Sequence, residues 1–379
     1  MFNRRIYYIS GFDPRGARFY HRLFREESKK SGAISGAKIE TGKRKVLDSV
    51  ITQWQVDSVW DGESYKTDYR FMTWDDVIKH YWVSNPWELI LKSMPMYFSH
   101  IKTGLFSKYK QAGIGPFYFS LYPFAFCIVS LLLSFLIGFL IYQICFMLFG
   151  EVVLGVSLGI IAACFFIRYA VHSGEKMGAW WVMQSYFLHS RWMEKPLPEL
   201  ERRTQDFAER IIQDQIDDPV EEIVLVGHCT GALLTVAVMS KILGMQHDGL
   251  KSKLSVMTLG QSIPYLTYAA PAKHFRKMLQ TFAINKSFPW FDMGARADPL
   301  CFQQVNPALA DGIILDDGNV PCRVVVRPYN MFSSEKYKTL QKNKLRIHFQ
   351  YLMAADIKTD FDYFEIVTGP LAKLQSYKK

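Results

Sequence analysis

The chain lacks most of the signatures that would name its chemistry directly. Its 379 residues contain no G-x-x-x-x-G-K-[ST] and no G-x-G-x-x-G, so nucleotide binding has no motif behind it. Cysteine is sparse: the six lie at positions 127, 145, 164, 229, 301 and 322, with no C-x-x-C pair. That spacing argues against a zinc site, a redox motif and a disulfide framework, and it fits a reducing compartment. No cluster of His, Asp and Glu has metal-ligand spacing, so neither a metal nor a cofactor is expected. Acidic residues are in deficit, 35 Asp and Glu against 45 Lys and Arg, which leaves a formal net charge of +10. The excess is not interleaved with aromatic residues as in a nucleic-acid module, so no nucleic-acid partner is expected. It is densest at Lys43-Arg44-Lys45 and between Lys336 and Arg346. Two readings of it stand: attraction to an anionic membrane face, or an ordinary solvated surface.

The chain has one long apolar segment. From 117 to 171 the only Asp, Glu, Lys or Arg residues are Glu151 and Arg168. A bilayer core needs about 20 apolar residues in a helix. The run is therefore long enough for two helices, and Gly150-Glu151 is the natural hinge between them. The expected helices are near 122–148 and 152–171. A stretch such as LLLSFLIGFLIYQICFMLF has no polar face, which disfavours a buried soluble hairpin. Lys102, Lys108 and Lys110 precede the segment, and Arg168, His172 and Lys176 close it. The positive-inside rule then places both termini in the cytoplasm, with the hairpin in the inner or plasma membrane if the source is bacterial. Tyr118, Tyr122, Tyr169, Trp180 and Trp181 sit where an interfacial aromatic belt belongs. Arg4-Arg5 followed by IYYIS is too short for a signal-peptide core, so none is expected. The parts at 1–116 and 172–379 thus emerge on one side, as two pieces of a domain interrupted by the hairpin at 117–171.

Those parts alternate strand and helix. Strands are expected at 6–10, 50–56, 68–73, 223–226, 254–259, 324–326 and 345–352, with helices near 17–31, 198–217, 230–244 and 271–280. The Ile223–Val226 run is continuously apolar, as a buried parallel strand requires. The expected class is α/β with a mostly parallel sheet flanked by helices.

The sharpest local pattern is EEIVLVGHCTGALLTVAVMS: a buried strand, the turn Gly227-His228-Cys229-Thr230-Gly231, then a helix-forming run. Two readings of Cys229 stand, a working nucleophile or a small buried residue in an ordinary turn. After Cys229 come only His247, His274 and His348, and only His348 follows Asp298. Asp298 lies in FDMGARADPL; Asp292 in the same stretch is its rival, read as a surface turn residue. A hairpin inserted around 312–335, with Asp317-Gly318 at its turn, takes up the long interval to His348.

The strand, glycine-flanked turn and helix, followed by acid and then histidine, resemble the α/β-hydrolase superfamily. The usual serine is replaced by cysteine, and in this the elbow is similar to those of polyhydroxyalkanoate synthases and dienelactone hydrolases. The resemblance implies a nucleophile at Cys229, an acid at Asp298 and a base at His348. It implies an oxyanion hole from the backbone N–H of Thr230 and a second donor at Gly11-Phe12, because that donor follows an early strand in the superfamily. Gly227 and Gly231 are its elbow glycines. The implied function is a membrane-anchored hydrolase that cleaves an ester or thioester, the anchor favouring a lipid-like or acyl substrate. Acyl transfer by the same triad is one alternative, and an inactive membrane-attached interaction module is the other. His228 reads as packing. The oligomeric state is left open.

Overall fold

The computed structural model describes residues 2–309, 321–370 and 372–378. In chain order the elements are β1 (Phe2–Ile9), α1 (Gly16–Ser35), β2 (Lys38–Thr41), β3 (Lys45–Val46), β4 (Ile51–Trp60), β5 (Glu63–Met72), α2 (Asp75–Tyr81) and α3 (Pro86–Lys102). Then come α4 (Leu105–Ala112), α5 (Ile114–Phe149), α6 (Val152–Lys176), α7 (Ala179–Glu194), α8 (Pro198–Asp217), β6 (Glu222–His228), α9 (Gly231–Gly244), β7 (Leu254–Leu259), β8 (Trp290–Gly294) and β9 (Cys322–Val325). The chain forms two compact units. The first comprises 1–81, 108–116 and 191–379, and the second 82–107 and 117–190.

The first unit is α/β. Its nine strands, among the described residues, form one sheet in the order β2-β4-β5-β1-β6-β7-β8-β9, with β3 also paired to β4. The strands from β5 to β9 along that order are parallel. At the other edge β4 runs antiparallel to β5, and β2 and β3 antiparallel to β4. The sheet is thus mixed. The cause is local: Asp61 and Gly62 join β4 to β5 with φ of 50° and 85°, the two-residue hairpin turn that Asp-Gly favours. Every residue of β6 and β7 is buried, because the sheet is covered on both faces there.

The amino ends of the strands are tied by buried charge. Arg5, fully buried in β1, reaches Asp218 at 2.7 Å and Asp68 at 3.1 Å and donates to the Asp214 carbonyl at 3.0 Å. Its neighbour Arg4 pairs with Glu222 of β6. These contacts hold β1 between β5 and β6. The carboxyl ends of β1, β6 and β8 are left to carry the loops described below.

The expected strand at 345–352 is not formed. Asn343 caps a short helix, Lys344–His348, by accepting from the Arg346 N–H at 2.9 Å, and a 3-10 turn continues through Leu352. Leu345, Ile347, Phe349 and Tyr351 alternate as a strand would, but the cap precedes them and wins. The strand expected at 324–326 is found as β9. Asp317 and Gly318, the expected hairpin turn, lie outside the described residues.

α5, almost wholly in the second unit, begins eight residues before the expected 122–148, and α6 runs five residues past the expected 152–171, so that they span 36 and 25 residues. Their most apolar windows have mean hydropathies of 2.8 and 2.1, with 6% and 11% of the window residues buried. Both are long and apolar enough to cross a membrane. The break falls at the expected hinge, with Gly150 at φ 69°. Glycines let the two backbones approach: a Cβ at Gly138 would lie 3.0 Å from the Gly159 carbonyl oxygen, and one at Gly155 would lie 3.1 Å from the Tyr142 carbonyl oxygen. At the base of the unit the His100 ring bonds the Tyr186 hydroxyl at 2.9 Å, and Tyr97 stacks on Phe124 at 5.0 Å. Burial lowers His100 to about 4, so this contact is made by a neutral ring.

The tightest point of the sheet unit generates a prediction. A Cβ at Gly231 would stand 2.7 Å from the Ser10 carbonyl oxygen and closer still to that of Ile9, and neither backbone atom can swing aside. Gly231→Ala should cost about 2–4 kcal/mol, read as a lowered midpoint in thermal or denaturant unfolding. An unchanged midpoint would mean that β1 can slide away from α9.

Candidate active site

Three loops meet at the carboxyl ends of the parallel strands. β6 runs straight into Cys229, which takes a left-handed backbone conformation with φ of 56°. A non-glycine residue there is strained and persists only where its surroundings enforce it. The surroundings do so here: the Cys229 N–H donates to the Leu259 carbonyl at 3.0 Å, and α9 begins two residues later. On the inner side, a Cβ at Gly227 would lie 2.6 Å from the Gly231 carbonyl oxygen, so both glycines are required by close approach.

The second loop follows β1. Parallel pairing sets Ile9 beside Gly227, so the turn after β1 arrives next to the turn after β6. Gly11 lies so close that a Cβ there would be 2.9 Å from the Cys229 Cβ and 3.5 Å from its sulfur. Phe12 is buried. Asp13 braces the turn: its carboxylate accepts from the Arg15 N–H at 3.0 Å, from the Arg15 guanidinium at 2.6 Å and from the Tyr20 hydroxyl at 2.9 Å. Of the residues expected to form an oxyanion hole, Gly11 lies against Cys229, Thr230 follows it in the chain, and Phe12 is the buried residue next to Gly11. The Thr230 hydroxyl lies 3.9 Å from the thiol sulfur.

The third loop follows β8 and carries Asp298. Its Oδ2 accepts from His348 Nδ1 at 2.8 Å and from the Tyr351 hydroxyl at 3.1 Å, while Oδ1 accepts from the Leu300 N–H at 3.0 Å. The Tyr351 oxygen in turn accepts from the Ala295 N–H at 2.9 Å. Both Asp298 and His348 are buried. The rival acid, Asp292, is not a surface residue: it is buried in β8, and its hydrogen bond comes from the Thr258 hydroxyl at 2.7 Å. Burial pushes the Asp292 carboxyl up to about 7, against the pull of Thr258 and Arg323.

The electrostatics of His348 follow from its neighbours. Burial opposes a charged ring, but the Asp298 carboxylate and then Cys229 outweigh it, and His348 is pushed up to about 10. The remaining nitrogen, Nε2, makes no hydrogen bond within normal geometry among the described residues, and Cys229 is the neighbour that acts on it.

His228, read from sequence as packing, does more than fill space. Its ring stacks on that of His348 at 4.7 Å, and its Nε2–H donates to the His348 backbone carbonyl at 3.1 Å. Burial, and then the charge on His348, hold His228 well below its ordinary value, so it stays neutral. Tyr351 and the Asp13–Arg15–Tyr20 brace were not foreseen. Tyr351 lay in the segment expected to be a strand. The brace had a visible signal in Asp13 two residues before Arg15, an Asx-type turn. Among the described residues no group of three or more His, Cys, Asp or Glu side chains could hold a metal ion. No family model, no curated protein and no solved structure matches this chain.

The raised His348 fixes a pH dependence. Its contribution to stability is full below the unfolded value of about 6.5 and is lost as pH rises through about 10. Wild type should therefore lose stability relative to His348→Gln across that window, measured by unfolding midpoints at several pH values. A difference that stays constant would show that the ring is neutral in the folded protein.

Proposed function

We propose that this chain is a membrane-anchored enzyme of the α/β-hydrolase type, one that cleaves an ester or thioester through an acyl group carried on Cys229. The observation that supports it most is the strained, positive-φ Cys229 on a strand-to-helix turn, joined in one site with a buried Asp298–His348 pair. A buried cysteine with only a packing role has no need of the strain.

In this reading the thiol proton already resides on His348, whose raised value of about 10 keeps it there at neutral pH, and the sulfur attacks the carbonyl carbon of the substrate. The resulting oxyanion is met by the backbone N–H groups of Thr230 and the Gly11-Phe12 turn. Collapse breaks the bond to the leaving alcohol or thiol, to which His348 returns its proton. Water then attacks the thioester, His348 taking its proton, and the acid leaves as the Cys229 thiol re-forms. Asp298 orients the imidazole and balances its charge throughout. The α9 dipole, with its positive end near the sulfur, favours the charged nucleophile.

The burial of Cys229 and His348 also favours a second reading, transfer of the acyl group to an alcohol or amine, because little water reaches the sulfur. The hairpin of α5 and α6 crosses the bilayer in this proposal. Both termini are cytoplasmic in this reading, by the lysines and arginine that flank it, in the inner or plasma membrane if the source is bacterial. A bilayer neighbour suits a lipid-like or acyl-chain substrate.

Alkylation of the full chain in detergent tests the site. Iodoacetamide should modify Cys229 below pH 7, and His348→Ala should abolish that reactivity, as followed by peptide mass spectrometry. Cys229→Ala should lower turnover of acyl esters and thioesters by about 10³-fold or more. Labelling of Cys229 only after unfolding would overturn the enzyme reading in favour of an interaction module.

A further inference from the structure

A second feature of the sheet unit lies beside this site and has no part in the chemistry above. Arg15, Arg18, Arg22 and Arg25 follow one another at spacings of three, four and three, the repeat of a single helix face. All four are exposed, and they line a cleft of about 650 Å³ together with Lys43 and Arg44 from the loop after β2. His21 Nε2 bonds the Gly42 carbonyl at 2.9 Å and ties the two sides of the cleft together. Arg15 is held by Asp13, but the other five cations have no ion-pair partner, and no carboxylate lines the cleft, among the described residues.

Like charges at helical spacing repel, so such a stripe is unfavourable for α1 unless an anion occupies it. The cleft is concave and of small-ligand size, which suits a compact anion better than a flat charged sheet. Converging guanidinium groups match the geometry of phosphate oxygens, which accept two N–H bonds from each fork. One end of the cleft lies near residues that flank the proposed active site, through Arg15. The Arg15 guanidinium lies 3.7 Å from the centroid of Phe19, another lining residue, and 5.2 Å from that of Phe349, which directly follows His348.

We propose that this cleft binds the phosphate-bearing head of the acyl substrate, which is therefore a phosphorylated acyl lipid. The proposal rests on the reading of Cys229 as the acyl acceptor, and its test is separable from that reading because it measures binding.

The test uses the full chain in a neutral detergent, with Cys229→Ala to prevent turnover. Dioleoyl phosphatidic acid in mixed micelles is titrated against this protein, with dioleoylglycerol and inorganic pyrophosphate as comparison ligands. Phosphatidic acid should bind at least tenfold more tightly than the diacylglycerol. Arg18→Glu with Arg22→Glu should weaken it by tenfold or more. Lys338→Glu with Lys342→Glu, which makes the same change in net charge elsewhere on the exposed surface, should leave it within twofold. Unfolding midpoints of both double variants check that each is folded. Equal weakening by the two double variants, or diacylglycerol binding as tight as phosphatidic acid, would overturn the site. Pyrophosphate binding without phosphatidic acid binding would overturn the lipid assignment. If phosphatidic acid binds as expected but wild-type Cys229 is never acylated, the cleft stands and the acyl-enzyme reading falls.

Discussion

The geometry of this protein turns on a single crowded point, where Cys229 is held in a left-handed conformation between the ends of β1 and β6 and the start of α9. Side chains at 11, 227 or 231 would collide with backbone or with Cys229 itself, so three glycines are the condition for the turn to exist. Once the turn is in place, much else follows. β1 must pair with β6 in the register that sets Ile9 beside Gly227, and this brings the Gly11-Phe12 turn against the sulfur. The thiol stands at the carboxyl end of the sheet, where loops from three different strands converge, and helix α9 points its amino end at it.

Charge is segregated along the same sheet. At the amino ends of the strands, Arg4 and Arg5 are buried among Glu222, Asp68 and Asp218, each paired as a buried charge must be. At the carboxyl ends the buried ionisable groups include Cys229, Asp298 and His348, with His228 held neutral beside them. In the first cluster each arginine has a carboxylate partner, Asp218 reaching in from the exposed surface. In the second, the Nε2 of His348 makes no hydrogen bond within normal geometry among the described residues. The functional proposal rests on the carboxyl ends because the strained Cys229 and the buried Asp298–His348 pair stand there.

Several parts of this arrangement were legible in the residues. The continuous apolar run of β6, the helical period of α8 and the unbroken hydropathy of α5 and α6 all reflect burial or solvent preference along one short segment, and such preferences are written locally. The Gly-His-Cys-Thr-Gly turn was visible for the same reason, as was the order Cys229, Asp298, His348. Other parts were misread where two local signals competed. Residues 345–352 alternate like a strand, yet the Asn343 cap makes them helical. The Asp61-Gly62 turn, which makes one edge of the sheet antiparallel, was present in the sequence but was overlooked beside the stronger α/β alternation.

Sequence alone marked the main helices and strands and the apolar hairpin, residues 345–352 excepted, because propensity, capping and hydropathy act over a few residues. Partnership came from the folded chain. Asp298 was preferred to Asp292 on its place in a loop, but only the packing of the loop after β8 against the short helix at 344–348 gives it the His348 ring, while Asp292 goes to Thr258. In the same way His228 and Tyr351 gained their roles from residues 120 and 53 positions away. Contacts at such separations depend on how whole elements stack, and no local pattern encodes them.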